Sequence, residues 1–388
     1  MSEITIHKAE TRRERRRFLT FPWRVYRHDP LWVPPILAER EKAVDPGQGA
    51  FFERGTAECF TAQRDGHVVG TICVAEDQTG NNLIGKRDCL WGFFECVPDY
   101  SVAEALWRHA IRWGQARGLD ALYGPFNLDY EDGYGILLEG RDRPPVLLCG
   151  HTPSYYLDFV EQFGFQPGRA QNIAFAVPVE EEIEAFRRTT RIADRVRARG
   201  RFTIRSADFS RWEDEIDPLL GLLNAALAHL DGHIPWQRES LESLLAPFKE
   251  FADPDLILFA EEDGQLVGFF PGVPNMNEAL IHANGLRFPW DYVSAWWHAR
   301  RQPDCLTIKS VLVPPEYWGS GVAVLLFDEM LTRVRARGYK WIDLSLTSLD
   351  NPKTPVLAER MGGYIYKRYQ VYRYPFNQAA GFSPHSNR

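Results

Sequence analysis

The stretch that decides the fold runs from Thr307 to Ala323 and reads TIKSVLVPPEYWGSGVA. Residues Thr307 to Val313 alternate and are rich in β-branched side chains, which predicts a strand, and the two prolines that follow end it. Apolar residues from Val322 onward recur at helical spacing. Between these elements lie Gly319 to Gly321, where glycine lets successive backbone N–H groups converge beside the positive end of a helix. Such glycine pairs also occur in ordinary turns, so the flanking elements carry the prediction of a pyrophosphate-binding turn.

The same stretch resembles the acyl-CoA-binding motif of the GNAT (N-acetyltransferase) superfamily, Arg/Gln-x-x-Gly-x-Gly/Ala. Gly321 and Ala323 match this motif, whereas Trp318 stands at its first position. The resemblance continues through residues 322–337, a strand from 341 to 348 and Asn351, and so covers the second half of the chain. It implies acetyl-CoA, or another acyl-CoA, as co-substrate, bound by Val311, Leu312, Val313, Trp318, Gly319, Ser320, Gly321, Val322, Ala323 and Asn351.

Length and composition limit the classes of protein to which this chain can belong. A chain of 388 residues is long for one core and comfortable for two domains. The absence of a signal peptide and of an apolar run near the roughly 20 residues that span a bilayer predicts a cytoplasmic protein without a membrane partner. A net charge of -7 argues against nucleic-acid binding. The 6 cysteines lack metal-site spacing, so we expect reduced thiols and no metal.

An internal repeat predicts two related domains. The pattern from Ala62 to Gly70, with a central Asp-Gly pair, recurs with the same spacing from Ala260 to Gly268, where the pair Asp263-Gly264 predicts a two-residue hairpin. We expect domains at 1–178 and 179–388, and the resemblance implies an α/β fold in which each domain is a mixed, mostly antiparallel sheet flanked by helices. In the first copy the strand from 91 to 97 runs directly into a helix at Ser101, without a glycine turn. The first domain is therefore predicted to be degenerate and unable to hold a pyrophosphate.

Acyl transfer from a thioester to an amine requires a polarised carbonyl, a deprotonated amine and a protonated leaving thiolate. The resemblance implies that the strand from 311 to 313 splays away from the strand that begins at 341. That second strand carries a polar row, which either faces the substrate or is hydrogen-bonded under a helix. Our candidate catalytic residues are Asp343, Ser345, Thr347 and Tyr366.

The general acid and base stay open at this level. The family's usual acid is a tyrosine seven residues after the asparagine, and that position is Ala358 here. A tyrosine at 364, 366 or 369, or a bound water, is the substitute that we consider. As base we consider Asp343 and Asp350, with surface or capping roles as the alternative.

Aromatic segments outside this motif suggest substrate contacts. Trp32 lies in a proline-rich loop that reads as a lip over a cleft or as surface packing, and Tyr155 and Tyr156 either line a substrate pocket or pack in the core. Residues 129–149 predict a pair of strands, and residues 231–236 form a second aromatic loop.

Two further segments carry unusual composition. The spacing of Thr11 and Glu14 predicts a capping box at the start of the first helix. This helix holds five arginines between Arg12 and Arg17, which form either a polyanion contact or a solvated face. Residues 275–301 are rich in tryptophan and basic residues. We interpret them as a lid or, preferably, as an inter-domain seam.

The sequence therefore predicts an acyl-CoA-dependent N-acyltransferase that acts directly on a small-molecule amine in an inter-domain cleft. Two alternatives remain. One is a non-catalytic acyl-CoA-binding or sensor protein, favoured by Ala358 and Trp318, and the other is a tandem transferase that takes its aminoacyl group from a charged tRNA, favoured by the arginine-rich helix.

Overall fold

The computed structural model describes residues 3–128, 135–228, 235–238, 241–242, 245, 252–308 and 311–377. Within these ranges the chain forms two compact units. Unit 1 comprises Met1–Asn172, Asn277–His298 and Lys367–Arg388, and unit 2 comprises Ile173–Met276 and Ala299–Tyr366.

The strands, in chain order, are β1 (Thr5–Lys8), β2 (Gly55–Arg64), β3 (His67–Asp77), β4 (Asp88–Cys96), β5 (Ala121–Gly124), β6 (Ile136–Glu139), β7 (Gln166–Pro167), β8 (Asn172–Pro178), β9 (Thr203–Ser206), β10 (Ile257–Glu262), β11 (Gln265–Pro274), β12 (Cys305–Ile308), β13 (Trp341–Ser348), β14 (Tyr364–Gln370) and β15 (Tyr372–Pro375).

The helices are α1 (Arg12–Thr20), α2 (Pro22–Val25), α3 (Leu37–Ala43), α4 (Gln78–Ile84), α5 (Tyr100–Gln115), α6 (Tyr155–Phe163), α7 (Glu184–Arg197), α8 (Trp212–Leu227), α9 (Asn277–Leu280), α10 (Pro289–Ala299), α11 (Val322–Ala336) and α12 (Thr354–Arg360). No helix in the described ranges is both long enough and apolar enough to cross a bilayer.

Each unit contains a mixed sheet flanked by helices. One sheet has the strand order β1-β2-β3-β4-β5-β15-β7, and the other has the order β6-β14-β8-β13-β12-β11-β10-β9. The pairs β4–β5 and β12–β13 are parallel, whereas the hairpins β2–β3 and β10–β11 are antiparallel. This arrangement confirms the predicted α/β fold with two mixed sheets.

The two hairpins show how the repeat in the sequence becomes a repeat in structure. Asp65 and Gly66 both have positive φ, at 51° and 75°, and Asp263 and Gly264 repeat this at 50° and 78°. Positive φ at both central residues is the geometry of a tight turn whose twist matches the flanking strands. Asp-Gly pairs are suited to this turn, so the sequence pattern identified both hairpins correctly.

The units do not follow the chain as two continuous halves. Strand β8 lies in the sheet of unit 2 although it precedes residue 179, and the C-terminal strand β15 pairs with β5 in unit 1. The expected domain boundary at 178/179 stays a prediction about the sequence repeat, because each compact unit contains segments from both sides of it.

Several local expectations change. Of the predicted strand from 307 to 313, residues 307 and 308 belong to β12, residues 309 and 310 lie outside the described residues, and a single bridge joins Leu312 to Phe269. The predicted strand pair at 129–149 yields only β6, which pairs with residues 368–370 of β14, while 129–134 lie outside the described residues. Most of the aromatic loop at 231–236 also lies outside them.

The arginine-rich helix α1 has the predicted capping box: the amide of Glu14 donates to Thr11 Oγ1 at 3.2 Å, and the amide of Thr11 donates to Glu14 Oε2 at 2.8 Å. Its arginines meet carboxylates within unit 1. Arg16 pairs with Glu41 at 2.6 Å, and Arg15 lies 3.5 Å from Asp45. These ion pairs reduce the positive charge that this helix offers to a polyanion.

Candidate functional site

The site in unit 2 begins where the parallel strands β12 and β13 part. Within the described residues, the last register pair between them is Thr307–Asp343, and residues 309 and 310 lie outside the described residues. Further along, the amide of Leu312 donates to Phe269 O at 3.0 Å and its carbonyl accepts from Phe269 N at 2.9 Å, so this backbone follows β11 instead. Because successive peptide groups of a strand point in opposite directions, the amides of Val311 and Val313 face away from β11. Leu312 therefore has no amide to offer a ligand, whereas its two neighbours do.

The glycine turn leads from this backbone into α11. Gly319 and Gly321 have φ of 81° and 95°, values that favour glycine. A side chain at Gly319 would meet nothing within 4 Å, so this side of the turn is open. At Gly321 a Cβ would lie 2.5 Å from Val196 Cγ2 on α7, so glycine is needed there for close packing as well.

The amides of this turn fall into two groups. Three amides already donate hydrogen bonds within the turn. The amide of Trp318 donates to Pro315 O and that of Ser320 to Tyr317 O, both at 3.1 Å, and the amide of Val322 donates to Ser320 Oγ at 3.3 Å. In the described part of the chain, the amides of Gly319, Gly321 and Ala323 have no hydrogen-bond acceptor. Three free N–H groups at the start of a 15-residue helix offer a suitable environment for an anion.

Trp318 and Asn351, both predicted to bind the cofactor, make contacts with neighbouring residues. The indole Nε1 of Trp318 donates to Val313 O at 2.9 Å, and Lys353 Nζ lies 3.2 Å from the centre of the indole ring. Asn351 Oδ1 accepts from the amides of Lys353 and Thr354, both at 3.0 Å, in the turn that leads into α12. Lys353 therefore places a cation beside the turn. Sequence reasoning missed this residue, although its position two residues after Asn351 was a usable signal.

The candidate catalytic residues are brought together in part. Tyr366 Oη donates to Asp343 Oδ1 at 2.9 Å, and the amide of Ser345 donates to Asp343 Oδ2 at 3.1 Å. Asp343 has no exposed surface, and Tyr366 is 7% exposed with Trp341 packed edge-on against it. Ser345 has a φ of 59°, which breaks the alternation predicted for β13. Thr347 makes no contact with this group in the described structure.

The remaining acid and base candidates have structural roles. Ala358, at the position of the family's usual tyrosine, is buried against Ile173 and Phe175 of β8. Asp350 accepts a hydrogen bond from Ser348 Oγ in an exposed turn. Tyr369 donates to Gly150 O at 3.0 Å.

A second site, which the sequence did not predict as a unit, lies wholly within unit 1. It is a cavity of about 500 Å³, in the range of small-molecule sites. Its walls are mainly apolar, and the predicted substrate residues Trp32 and Tyr156 contribute to them, whereas Tyr155 does not. The hydroxyl of Tyr155 donates instead to Cys96 O at 2.6 Å.

The carboxyl of Glu95, on β4, is the most unusual group in this cavity. Tyr156 Oη donates to its Oε2 at 2.7 Å, and Tyr26 Oη lies 3.2 Å from its Oε1. Burial raises the pKa of Glu95 to about 8, although the two tyrosine hydrogen bonds oppose the shift. Among the described residues Glu95 forms no salt bridge. Burial also raises the pKa values of both tyrosines, which keeps them as hydrogen-bond donors.

His151 forms a second polar point on the cavity wall. Its Nε2 lies 2.7 Å from Asp29 Oδ2, which favours a proton on Nε2 and leaves Nδ1 as an acceptor. The side chain is 4% exposed, and within the described ranges Nδ1 has no hydrogen-bond partner. Burial lowers the pKa of His151, and the nearby Asp29 opposes that shift. The ring is therefore neutral at pH 7 and presents an unused lone pair.

Comparison with known proteins places this geometry in a family. A profile described as Acetyltransferase (GNAT) family matches residues 222–362. A protein named bacterial ceramide synthase, from Caulobacter vibrioides (strain NA1000 / CB15N), is 30% identical over 381 residues, which cover 96% of this chain and 97% of that protein. The chain belongs to the acetyltransferase (GNAT) family.

Two further comparisons cover nearly the whole chain, and the second of them bears on the fold alone. Protein YghO from Escherichia coli (strain K12) is 26% identical over 375 residues, covering 92% of this chain and 91% of that protein. The structure of a tandem GNAT protein from the clavulanic acid biosynthesis pathway superimposes with a TM-score of 0.56 at 13% identity, covering 98% of this chain and 100% of that one. The fold and the prediction of an acyltransferase enzyme are thereby confirmed.

Proposed function

We propose that this GNAT protein is an acyl-CoA-dependent N-acyltransferase whose acceptor is a primary amine on a long aliphatic chain. The observation that carries the proposal is the glycine turn before α11, with three free amides and the cation of Lys353 beside it. A doubly charged pyrophosphate matches this combination of donors and charge. The aliphatic acceptor is supported by the relative named ceramide synthase, since a ceramide is an amide of a long-chain amine.

The reaction needs no nucleophilic side chain. The ammonium form of the acceptor first loses a proton to a base, and the free amine then attacks the thioester carbonyl. A C–N bond forms and the C–S bond breaks, so the products are an amide and the free thiol of CoA. The nitrogen loses a second proton during this step, and the departing sulfur gains one, directly or through a side chain.

The proposed binding residues follow from the backbone geometry of unit 2. The amides of Val311 and Val313 face away from β11, and in this proposal they bind the pantetheine arm. The Tyr366–Asp343 pair lies at the point where the strands part, and its hydroxyl is our candidate proton donor to the sulfur. In this proposal Ser345 contributes through its backbone amide, which holds Asp343.

The turn is best tested at Ser320, because Gly321 cannot accept a side chain without displacing Val196. Ser320→Glu places a carboxylate at the turn, and we expect acyl-CoA binding to fall at least tenfold by calorimetry. Ser320→Ala is the matched control: it removes only the side-chain oxygen that accepts from Val322 N, and it should bind nearly as tightly as the wild type. Equal binding by Ser320→Glu and wild type would contradict the placement of the CoA.

Activity is measured as thiol release from acetyl-CoA and from palmitoyl-CoA in the presence of dodecylamine. Release that depends on the amine supports the transferase. Binding of acyl-CoA without release would instead favour a non-catalytic acyl-CoA-binding protein. That second function is favoured by one observation, the burial of Ala358 where the family's usual acid would stand.

A further inference from the structure

The cavity of unit 1 combines mainly apolar walls with two polar points: Glu95, which forms no salt bridge among the described residues, and His151, whose Nδ1 has no hydrogen-bond partner among them. The other polar residues that line it are Glu39, Arg40, Thr71, Asn127, Thr152 and Asn277. Its apolar lining includes Phe18, Leu19, Pro22, Ile36 and Leu147. Cavities with apolar walls and a few convergent polar groups are the usual form of small-molecule sites. A buried carboxyl without a cation is costly, and so is a buried acceptor without a donor.

We propose that this cavity binds an aliphatic amino alcohol, with its ammonium on Glu95, its hydroxyl donating to His151 Nδ1 and its hydrocarbon chain along the apolar wall. This inference rests on the proposed function, because it names the acceptor class of the same enzyme. It assigns acceptor binding to unit 1, the half of the sequence that was expected to be degenerate.

The hydrogen bonds around Glu95 favour a cation as the missing partner. Tyr156 Oη accepts from Cys96 N at 2.9 Å, so its own hydrogen is committed to Glu95 Oε2. Tyr26 Oη has two acceptors within reach, Glu95 Oε1 and His151 O at 3.0 Å. The carboxylate thus keeps lone pairs for an ammonium. As the nitrogen becomes a nucleophile, its proton passes to a Glu95 carboxylate oxygen, which forms an O–H bond while an N–H bond breaks.

His151, the second polar point, leads us to expect that the cavity prefers a ligand with a hydroxyl group. His151 is neutral and its Nε2 is engaged by Asp29, so Nδ1 can only accept. A simple amine leaves this acceptor unsatisfied, whereas a neighbouring hydroxyl satisfies it. Sites built to bind a hydroxyl discriminate strongly against analogues that lack it, because their own polar group is left unpaired.

The test measures binding of 2-aminododecan-1-ol to the full chain by calorimetry, without acyl-CoA. We expect saturable binding, weaker binding of dodecylamine, and still weaker binding of dodecan-1-ol. Glu95→Gln should weaken the amino alcohol at least tenfold. The matched control is Glu104→Gln, because Glu104 lies on α5 outside the cavity and pairs with Arg108. His151→Phe should remove the preference for the amino alcohol over dodecylamine.

The pH dependence separates a direct role of Glu95 from a structural one. Since an ammonium needs the ionised carboxylate, affinity should rise about tenfold from pH 6 to pH 7 and level off above pH 8, with a proton released on binding. The other titratable groups near Glu95 are Tyr26, Tyr155, Tyr156 and Cys96, whose pKa values are raised, and the neutral His151 with its partner Asp29. Glu39 and Arg40 of α3 and Cys149 line the same cavity. Glu95→Gln should lose this rise.

If Glu95→Gln unfolds, Ala43→Phe narrows the same cavity from α3 and should weaken the amino alcohol as well. Unchanged binding in either folded variant would overturn the proposal. The experiments distinguish a failure of this inference from a failure of the proposed function. Amine-dependent thiol release that does not depend on Glu95 would refute only this inference. Binding of the amino alcohol that depends on Glu95, without any thiol release, would refute only the proposed transferase activity.

A separate observation concerns helix α10, in which polar side chains are buried and aromatic side chains are exposed, the opposite of an ordinary surface helix. Its polar residues face inward: Asp291 is 4% exposed and accepts from the amides of Arg287 and Phe288, both at 3.0 Å, and Ser294 Oγ donates to His282 O at 2.8 Å. Its aromatic residues face outward, with Trp290, Trp296 and Trp297 exposed by 65%, 53% and 58%. The expectation that these tryptophans fill a buried seam was therefore wrong.

We infer that α10 docks on the surface of an anionic lipid bilayer. Exposed tryptophan and tyrosine side chains are typical of membrane interfaces, and Tyr292 and Val293 extend this exposed surface to 56% and 65%. The charge is complementary as well. Arg300 and Arg301 follow the helix directly and are exposed, whereas its one acidic residue, Asp291, is buried.

Sedimentation with vesicles of 30% phosphatidylglycerol in phosphatidylcholine tests this inference. We expect the wild type to co-sediment, and the variant Trp290→Ala/Trp296→Ala/Trp297→Ala to lose at least tenfold in partitioning. The matched control is Leu83→Ala/Ile84→Ala on α4, which removes exposed apolar side chains of 52% and 55% exposure elsewhere in unit 1. Equal partitioning of the two variants would refute it, as would a dimer that dissociates in the tryptophan variant.

Discussion

The carboxyl of Glu95 gives a quantitative prediction that needs no ligand. The perturbation is Glu95→Gln, which keeps the shape of the side chain and removes its titration. Folding raises the pKa of Glu95 from a usual value of 4.5 to about 8, chiefly through burial. The folded protein therefore holds this proton more tightly than the unfolded chain does. Stability must fall as the pH rises from about 4.5 towards 8, and it levels off above that.

The magnitude follows from the size of the shift. A shift of about 3.5 pH units corresponds to about 5 kcal/mol if it is expressed fully. Part of the titration is complete below pH 5, and water in the cavity screens the charge. We therefore expect the free energy of unfolding of the wild type to fall by about 2–4 kcal/mol relative to Glu95→Gln between pH 5 and pH 9.

The assay is urea unfolding at pH 5, 7 and 9, followed by hydrogen-exchange mass spectrometry of peptides from β4. These peptides report on unit 1 separately, which matters because two compact units need not unfold together. His151 and all other titrating groups are present in both proteins, so their contributions cancel in the difference. Glu104→Gln should track the wild type at every pH. A difference between wild type and Glu95→Gln that stays constant with pH would refute the reasoning.

Three further predictions concern unit 2. Gly321→Ala should destabilise it by about 2–4 kcal/mol, since a positive φ strains alanine and its Cβ meets Val196, and Val196→Ala in the same chain should restore part of this in urea unfolding. Tyr366→Phe should cost about 1–3 kcal/mol in thermal unfolding and lower thiol release, because it removes the hydroxyl that donates to Asp343; unchanged melting would argue against that hydrogen bond. Lys353→Gln should weaken acyl-CoA binding several-fold at 20 mM salt and less at 300 mM, and a loss independent of salt would point to a role other than charge.

The sequence predicted best where a local pattern alone specifies the backbone. The Asp-Gly hairpins, the capping box of α1 and the helix α11 all follow from residues within a few positions of one another. The strand exchange was not predictable in this way. Whether β15 pairs with β5 or with a strand of its own half depends on long-range packing, and both partners have ordinary strand composition.

The candidate site shows the same division. The glycine turn was visible because glycine at positive φ leaves a signature in the sequence. The cavity around Glu95 was not, because Tyr26, Glu95, His151 and Tyr156 do not form a local motif and each is an ordinary residue on its own. Tyr156 was proposed as a pocket residue from its neighbour and a nearby histidine, but nothing in the spacing linked it to Glu95 on β4.

The two GNAT-like halves therefore differ in a way that the missing glycine turn explains only in part. In unit 1, Asp99 caps the start of α5 by accepting from Ser101 N at 3.0 Å and pairs with Arg64 at 2.8 Å, so the helix start that could have bound an anion is already occupied by a carboxylate. The same β4 strand that leads to this helix carries Glu95 into an apolar cavity. The two proposals therefore assign a cationic ligand to the half that holds a buried carboxyl without a salt bridge among the described residues, and an anionic ligand to the half with free amides and Lys353. If so, the first half differs from the second in the charge of the ligand that it binds. The stability difference between the wild type and Glu95→Gln across pH measures the free-energy cost of the ionised Glu95 carboxylate, which a bound cation would offset.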